Sequence, residues 1–184
     1  MHELSKGTLL IANPFLKDLN FLRTVVLICN HNAAEGSVGF VLNKPFSMHL
    51  HQLISEITDH DIPVSIGGPV QTDSLHFIHQ YPDLIDGGEE ILPGIFWGGN
   101  FETLKILLNN ESLDKNKIRF FLGYSGWSEG QLNMELSGDS WITTSGTRKL
   151  LFDTPPENVW KDALKRMGGE YEKMINYPLD PQLN

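Results

Sequence analysis

The sequence predicts an α+β fold: a single domain over residues 1–184, with a large mixed, mainly antiparallel sheet and helices packed on it. Strand-like and helix-like segments alternate irregularly, unlike the regular order of a doubly wound parallel sheet. Residues 24–29 and 37–42 are strongly apolar, and only a short polar loop joins them. Because a parallel pair needs a long crossover, this loop predicts an antiparallel hairpin.

The remaining elements follow from short apolar segments and from helical spacing. Strands are predicted at 7–12, 64–66, 75–79, 91–97, 118–122 and 141–144. Helices are predicted at 49–57, 101–109 and 157–167, with a further helix from Ser128 to residue 137. Asn100 is the expected N-cap of the helix at 101–109, and Gly168 the expected end of the helix at 157–167.

Composition disfavours several classes of protein. The chain has a net charge of −9 and no conspicuous run of Lys and Arg, which argues against direct binding of nucleic acid or of an anionic membrane. Cys29 is the only cysteine, so no intramolecular disulfide can form. The first residues lack a secretion-signal pattern, and no apolar run reaches the roughly 18 residues of a spanning helix. We therefore expect a cytoplasmic protein without a membrane segment.

The segment 118–132 is the strongest candidate for a functional site. Its apolar first half predicts a strand, and Gly123 and Gly126 predict a tight turn after it. Ser128 and Gln131 have the spacing of a capping box, which predicts that a helix begins at Ser128. A strand, a glycine turn and a helix N-terminus can present backbone N–H groups to an anion or a polar ligand. The turn at 67–70 also follows a strand, and we expect it beside the first turn at one edge of the sheet.

Several sequence blocks together resemble one bacterial family. They are Gly7-Thr-Leu-Leu-Ile-Ala, Val25-Val-Leu-Ile-Cys-Asn-His, Gly39-Phe-Val-Leu-Asn-Lys-Pro, Gly67-Gly-Pro-Val, Gly123-Tyr-Ser-Gly-Trp and Gly130-Gln-Leu. In this order, and over nearly the whole chain, these blocks look like those of the AlgH/YqgE family. The resemblance implies an α+β fold with a large mixed sheet, a cytoplasmic location and no settled biochemical activity. The AlgH name is associated with transcriptional regulation of alginate synthesis through genetics in relatives, which does not establish DNA binding.

The resemblance and the motifs together nominate candidate site residues. Carried over from the family are Cys29, His31 and Asn43 with the 67–69 turn, and Gly123, Gly126, Trp127 and Gln131 with Glu135. The proposed ligand-binding set is His31, Asn43, Gly67, Gly68, Gly123, Gly126 and Gln131. No catalytic residue is assigned, although Cys29, His31 and Glu135 are candidates.

Individual chemistries can be weighed from the residue types. Ser125 resembles the nucleophile of a hydrolase elbow, but Trp127 stands where a small residue is required, and the family often has Ala in place of Ser125. Cys29 and His31 would face the same way in a regular strand, where an imidazolium would activate the thiol. Glu135 shares a helix face with Gln131 and could serve as a general base. No metal or cofactor is expected, since the histidines lack metal-binding spacing.

Two functional hypotheses remain open. The first is a binding or regulatory module with a site for a small polar ligand or a protein partner near the 67–69 and 123–127 turns. The second is an enzyme, a hydrolase or a thiol-dependent redox protein, that uses Cys29, His31 or Glu135. A solvent-reachable cluster of these three side chains would favour the enzyme. The sequence leaves the oligomeric state open.

Overall fold

A computed structural model describes residues 4–178 of the chain. The strands are β1 (Thr8–Ala12), β2 (Val25–Asn32), β3 (Gly36–Val41), β4 (Pro45–His49), β5 (Pro63–Ile66), β6 (Val70–His79), β7 (Glu89–Leu92), β8 (Ile95–Trp97), β9 (Ile118–Trp127) and β10 (Trp141–Ser145). The α-helices are α1 (Leu50–Leu53), α2 (Phe101–Asn109), α3 (Gln131–Ser137), α4 (Pro156–Met167) and α5 (Gly169–Lys173). Short 3-10 helices lie at Lys115–Lys117 and Met174–Asn176, and a π-helical turn at Lys149–Asp153.

All ten strands belong to one sheet. Eight follow the order β10-β1-β2-β3-β9-β6-β8-β7, while β5 pairs with β9 and β4 pairs with β5. Every pairing is antiparallel except that of β5 with β9. The predicted α+β class with a mixed, mainly antiparallel sheet is therefore confirmed, as is the hairpin of β2 and β3.

Strand β9 lies in the interior of the sheet and changes neighbours along its length. Residues 120–122 pair with β5, residues 118–122 and Tyr124 pair with β6, and residues 125–127 pair with β3. Gly123 stands between the two halves with a φ of 68°. The strand predicted to stop at residue 122 thus continues to Trp127, because β3 supplies hydrogen-bonding partners for its second half. The tight turn predicted at Gly123–Gly126 is wrong.

Three apolar clusters hold the layers together. The α4 cluster includes Leu27, Cys29, Phe121 and Trp160. The α2 cluster includes Leu104, Leu108, Ile118 and Phe120. The tryptophan cluster includes Val26, Ile28, Trp127 and Trp141. Successive residues of β2 enter different clusters, so its apolar part is buried on both faces, as its sequence predicts.

The helices α2 and α4 match their predictions closely. Asn100 caps α2 by accepting a hydrogen bond from the backbone N–H of Thr103 at 3.0 Å. Gly168, with a φ of 69°, ends α4 as expected. No helix within residues 4–178 is both long and apolar enough to cross a membrane.

The helix predicted at 49–57 is wrong in extent, since α1 covers only four residues. The preceding residues form β4, which pairs with β5 through Pro45 and Ser65 and through His49 and Pro63. The backbone N–H of Leu50 also bonds to the carbonyl of Ile62 at 2.9 Å. Pairing with a distant strand therefore overrides the local helical periodicity.

Candidate functional site

The carboxylate of Glu135 is held by three side-chain donors. Its Oε2 accepts hydrogen bonds from Trp127 Nε1 at 2.8 Å and from Trp141 Nε1 at 2.7 Å, and its Oε1 accepts one from Gln131 Nε2 at 3.0 Å. Both indoles are buried, and a buried indole N–H needs an acceptor. Glu135 therefore ties α3 to β9 and β10, and both of its oxygens are already engaged.

A β-bulge separates the other two catalytic candidates. Ile28 pairs with Gly39 and Asn30 with Val38, which leaves Cys29 as an extra residue in β2. Cys29 packs in the α4 cluster, whereas His31 lines a small cavity together with Leu132, a member of the tryptophan cluster.

The predicted approach of Cys29 to His31 is therefore wrong, because the bulge reverses the alternation of side chains. His31 Nδ1 instead lies 2.8 Å from the hydroxyl oxygen of Ser37. Burial raises the pKa of the Cys29 thiol well above its ordinary value, and the negative charge of Glu89 raises it further. The thiol is fully buried and stays protonated at neutral pH.

The two glycine segments lie side by side, but inside the sheet rather than at its edge. The N–H of Gly67 donates to the carbonyl of Leu122, and the carbonyl of Gly67 accepts from the N–H of Val41, both at 2.8 Å. A Cβ on Gly67 would collide with the carbonyl of Gly123, and one on Gly68 with the backbone of Tyr124. These glycines allow the two chain segments to pack closely, and the backbone N–H of Gly67 is hydrogen-bonded within the sheet.

Ser125 and Asn43 have structural partners. The buried hydroxyl of Ser125 donates to the carbonyl of Gly67 at 3.0 Å, which agrees with its exclusion as a nucleophile. Asn43 Oδ1 accepts from the N–H of Val25, and its Nδ2 donates to the carbonyl of Arg23, both at 2.9 Å. The amide of Asn43 thus links the start of β2 to Arg23, which precedes it, and both of its polar atoms have a backbone partner.

The helix α3 begins at Gln131 and not at Ser128, with Gly130 as its N-cap in a left-handed conformation. The predicted capping interaction nevertheless exists, since Gln131 Oε1 accepts from the backbone N–H of Ser128 at 3.0 Å and from its hydroxyl at 3.2 Å. The side chain of Gln131 is shared between this turn and Glu135. The helix has seven residues, and the Gln131 side chain occupies the backbone N–H of Ser128 just before it.

An open groove lies between the β2–β3 hairpin and the second half of β9. Its volume is about 410 Å³. It is lined by Asn30, Asn32, Glu35, Gly36, Ser37, Val38, Val70, Tyr124, Gly126 and Trp127. We call it the hairpin groove. Of the predicted ligand residues only Gly126 lines it, while His31 lies in a small adjoining cavity that shares Asn32, Gly36 and Ser37.

Sequence reasoning missed the polar residues of this groove. The sequence predicts a polar loop at Asn30, Asn32 and Glu35, although polar side chains directly after a buried apolar segment are a recognisable signal for a site. Tyr124 lies between Gly123 and Gly126, and the sequence did not indicate a role for its side chain. Side chains from two distant segments meet here only because β3 pairs with β9.

No group of three or more His, Cys, Asp or Glu side chains within residues 4–178 could hold a metal ion. His79 is buried and lies 2.9 Å from the carbonyl of Gly98, while its Nδ1 accepts from the N–H of Tyr81 at 3.1 Å. Burial lowers the pKa of His79, and the Gly98 carbonyl offsets this in part. These contacts make His79 a neutral packing residue.

The fold and the hairpin groove define a small α+β protein with an open surface groove. In the described residues, the side chains of Cys29, His31 and Glu135 do not come together as a catalytic cluster. A family model described as AlgH-like matches residues 9–172. The chain belongs to this AlgH-like family.

Similar proteins come from several bacteria. A UPF0301 protein of Chlorobium luteolum is 45% identical over 182 residues, covering 99% of this chain and 96% of the relative. A UPF0301 protein of Cytophaga hutchinsonii is 41% identical, covering 98% and 100%. The solution structure of AlgH from Pseudomonas aeruginosa is 29% identical with a TM-score of 0.75, covering 97% of this chain and 98% of that one.

A crystal structure from Corynebacterium diphtheriae has a TM-score of 0.80 at 21% identity, covering 96% and 94%. At that identity the likeness concerns the fold alone. The family resemblance expected from the sequence blocks is thus confirmed, and it leads to a family of uncharacterised function.

Proposed function

We propose that this protein is a non-enzymatic binding module and that the hairpin groove is its ligand site. The observation that carries this proposal is the placement of the three catalytic candidates. Cys29 is buried in the α4 cluster, His31 lines a separate small cavity and bonds to Ser37, and Glu135 has both oxygens engaged by other side chains. Neither a hydrolytic nor a thiol-dependent mechanism has a nucleophile in this arrangement.

The groove lining favours a small polar ligand. Its volume of about 410 Å³ lies within the range of small-molecule sites. Asn30 and Glu35 offer exposed hydrogen-bonding groups, and Tyr124 offers an aromatic face with a hydroxyl. The carboxylate of Glu35 disfavours an anion, so a neutral or cationic ligand fits best. Gly126 keeps the floor open, because a Cβ there would lie 3.3 Å from the Tyr124 ring.

The charge and the composition support two further parts of the proposal. The net charge of −9 argues against direct DNA binding, so a regulatory role would act through the ligand or through a protein partner. The single buried cysteine fits a cytoplasmic location, since no disulfide is needed for stability.

The proposal can be tested by thermal unfolding of the full chain in a panel of neutral and cationic metabolites, with nucleotides and phosphates as anionic comparisons. A ligand present at 100 times its dissociation constant should stabilise the protein by about 2.7 kcal/mol. We expect at least one neutral or cationic compound to raise the melting temperature in a saturable way.

A pair of variants tests whether the stabilising ligand binds in the hairpin groove. Asn30→Ala removes an exposed amide from the groove wall and should weaken the stabilisation at least about fivefold in ligand concentration. Asn158→Ala makes the same change at an exposed position of α4 and should bind normally. Equal effects of the two variants, or stabilisation by anions alone, would contradict the proposed site. If no compound stabilises the protein, a partner protein becomes the better candidate ligand.

A further inference from the structure

A second cleft, unrelated to the hairpin groove, lies where β5 and the start of β9 meet the segment 152–156. Its volume is about 570 Å³. Prolines contribute much of its wall, including Pro63 and Pro155, while Arg119 brings a cation to it. Each proline fixes its own backbone φ, which restricts the conformational freedom of these parts of the wall.

Arg119 makes three hydrogen bonds, all to neutral acceptors. Its Nη1 donates to the carbonyl of Leu151 at 2.8 Å, and its Nη2 donates to the carbonyl of Leu42 at 2.6 Å and to the hydroxyl of Ser65 at 3.1 Å. The guanidinium also lies 5.3 Å from the centre of the Phe121 ring. Arg119 thereby fastens the end of β3, β5 and the π-helical turn to β9.

The charge of Arg119 has no counter-ion among the described residues. Within residues 4–178, no carboxylate oxygen lies within 4.0 Å of its nitrogens. Burial lowers the pKa of Arg119 from 12.5 to about 10, which still leaves it charged at neutral pH. Buried charges in proteins are ordinarily paired, because an isolated ion loses much of its hydration.

Two N–H groups of Arg119, on Nε and Nη1, have no partner in the described structure. Arginine carries five N–H groups, and three are used. The Nε has no partner in the described structure, yet it is not among the fully buried atoms without a partner, which are Arg23 Nε, His51 Nδ1 and Gln80 Nε2. The open Nε–H of Arg119 therefore keeps some exposure to solvent, and Arg119 is one of the residues that line the cleft.

The other charges of the cleft limit what it can accept. Lys115 is paired with Asp59, and Asp153 with Arg148, so these groups largely cancel. Asp61 adds a further negative charge to the wall. The positive charge of Arg119 lies in the same cleft as the negative charge of Asp61. A ligand with one negative charge therefore fits the cleft better than a ligand with two.

We propose that this cleft binds a singly charged carboxylate, which accepts a hydrogen bond from the open Nε–H of Arg119 and supplies its missing counter-ion. The apolar and proline walls would surround the organic part of the acid. This site is independent of the hairpin groove, so either proposal can fail without the other.

The test follows the ¹H–¹⁵N signal of Arg119 Nε–H in the full chain during titration with sodium acetate. Sodium chloride at equal ionic strength and inorganic phosphate serve as comparison anions. We expect a saturable shift with acetate, a smaller response to chloride and weaker binding of phosphate. Substituting Arg119 itself is uninformative, because its three bonds also hold the fold together.

Variants that change the charge of the cleft wall test acetate binding without removing the bonds of Arg119 that hold the fold together. Asn116 is exposed and lines the cleft, so Asn116→Asp should weaken acetate binding about threefold or more. Asp61→Asn should strengthen binding, an opposite sign that structural damage would not produce. Asn158→Asp, with the same added charge on α4, should leave the affinity unchanged. No saturable shift with acetate, tighter binding of phosphate, or equal weakening by Asn116→Asp and Asn158→Asp would overturn the proposal.

Discussion

At the scale of single residues, Glu135 is a packing acceptor rather than a catalytic base. Replacing it with alanine leaves the buried N–H groups of Trp127 and Trp141 without their acceptor. Because each unsatisfied buried donor costs about 1–3 kcal/mol, Glu135→Ala should lower the free energy of unfolding by about 3 kcal/mol. Urea denaturation followed by tryptophan fluorescence measures this loss.

Glu129→Ala is the matched control for this prediction. Glu129 is exposed in the turn just before α3, and its removal should change stability by less than about 0.5 kcal/mol. A Glu135→Ala protein as stable as Glu129→Ala would mean that the two indoles find other acceptors. Glu135→Gln, which keeps an acceptor oxygen, should fall between the two.

Residue types could be nominated from the sequence, but their partners could not. The pair of Gln131 and Glu135 was predicted from its four-residue spacing, and the two side chains do bond. Nothing local indicated that Trp141 would complete the set. The predicted approach of Cys29 to His31 is wrong for a related reason. One bulge in β2 places the two side chains on opposite faces of the sheet, and a bulge has no simple sequence signature.

At the scale of elements, strand β9 depends on glycine at position 123. Gly123 has a φ of 68°, and a Cβ there would lie 2.7 Å from the carbonyl oxygen of Gly68. Gly123→Ala combines backbone strain with a collision against main chain, so we expect a loss of about 3 kcal/mol or more. Chemical denaturation of the two purified proteins provides the comparison.

Gly94→Ala separates the two causes of that loss. Gly94 has a similar φ of 75°, but nothing lies within 4 Å of its would-be Cβ. Strain alone should therefore cost about 1 kcal/mol there. If both variants lose the same free energy of unfolding, the contact with the Gly68 carbonyl does not contribute to the loss in Gly123→Ala.

Elements whose pattern is local were predicted well, and those decided by distant partners were not. The bounds of α2 follow from its cap and its apolar spacing, and those of α4 from Pro156 and Gly168. By contrast, β9 extends beyond residue 122 because β3 pairs with it, and α1 is short because β4 pairs with β5. The hairpin groove was missed for the same reason.

At the scale of the whole molecule, β9 contributes to all three apolar clusters. Phe121 belongs to the α4 cluster, Phe120 to the α2 cluster and Trp127 to the tryptophan cluster. Because one strand links them, no cluster can separate while β9 stays in place. We expect one cooperative unfolding transition, with coincident curves from far-ultraviolet circular dichroism and tryptophan fluorescence. Two resolved transitions would show that the clusters unfold independently.

The place of β1 in the sheet has a consequence for synthesis on the ribosome. Its two neighbours are β2, which follows soon in the chain, and β10, which spans Trp141–Ser145. During translation one side of β1 therefore stays unpaired until more than two thirds of the chain has been made. A nascent sheet with an open apolar edge is a template for pairing with another chain. Any truncation before residue 141 would leave that edge open permanently.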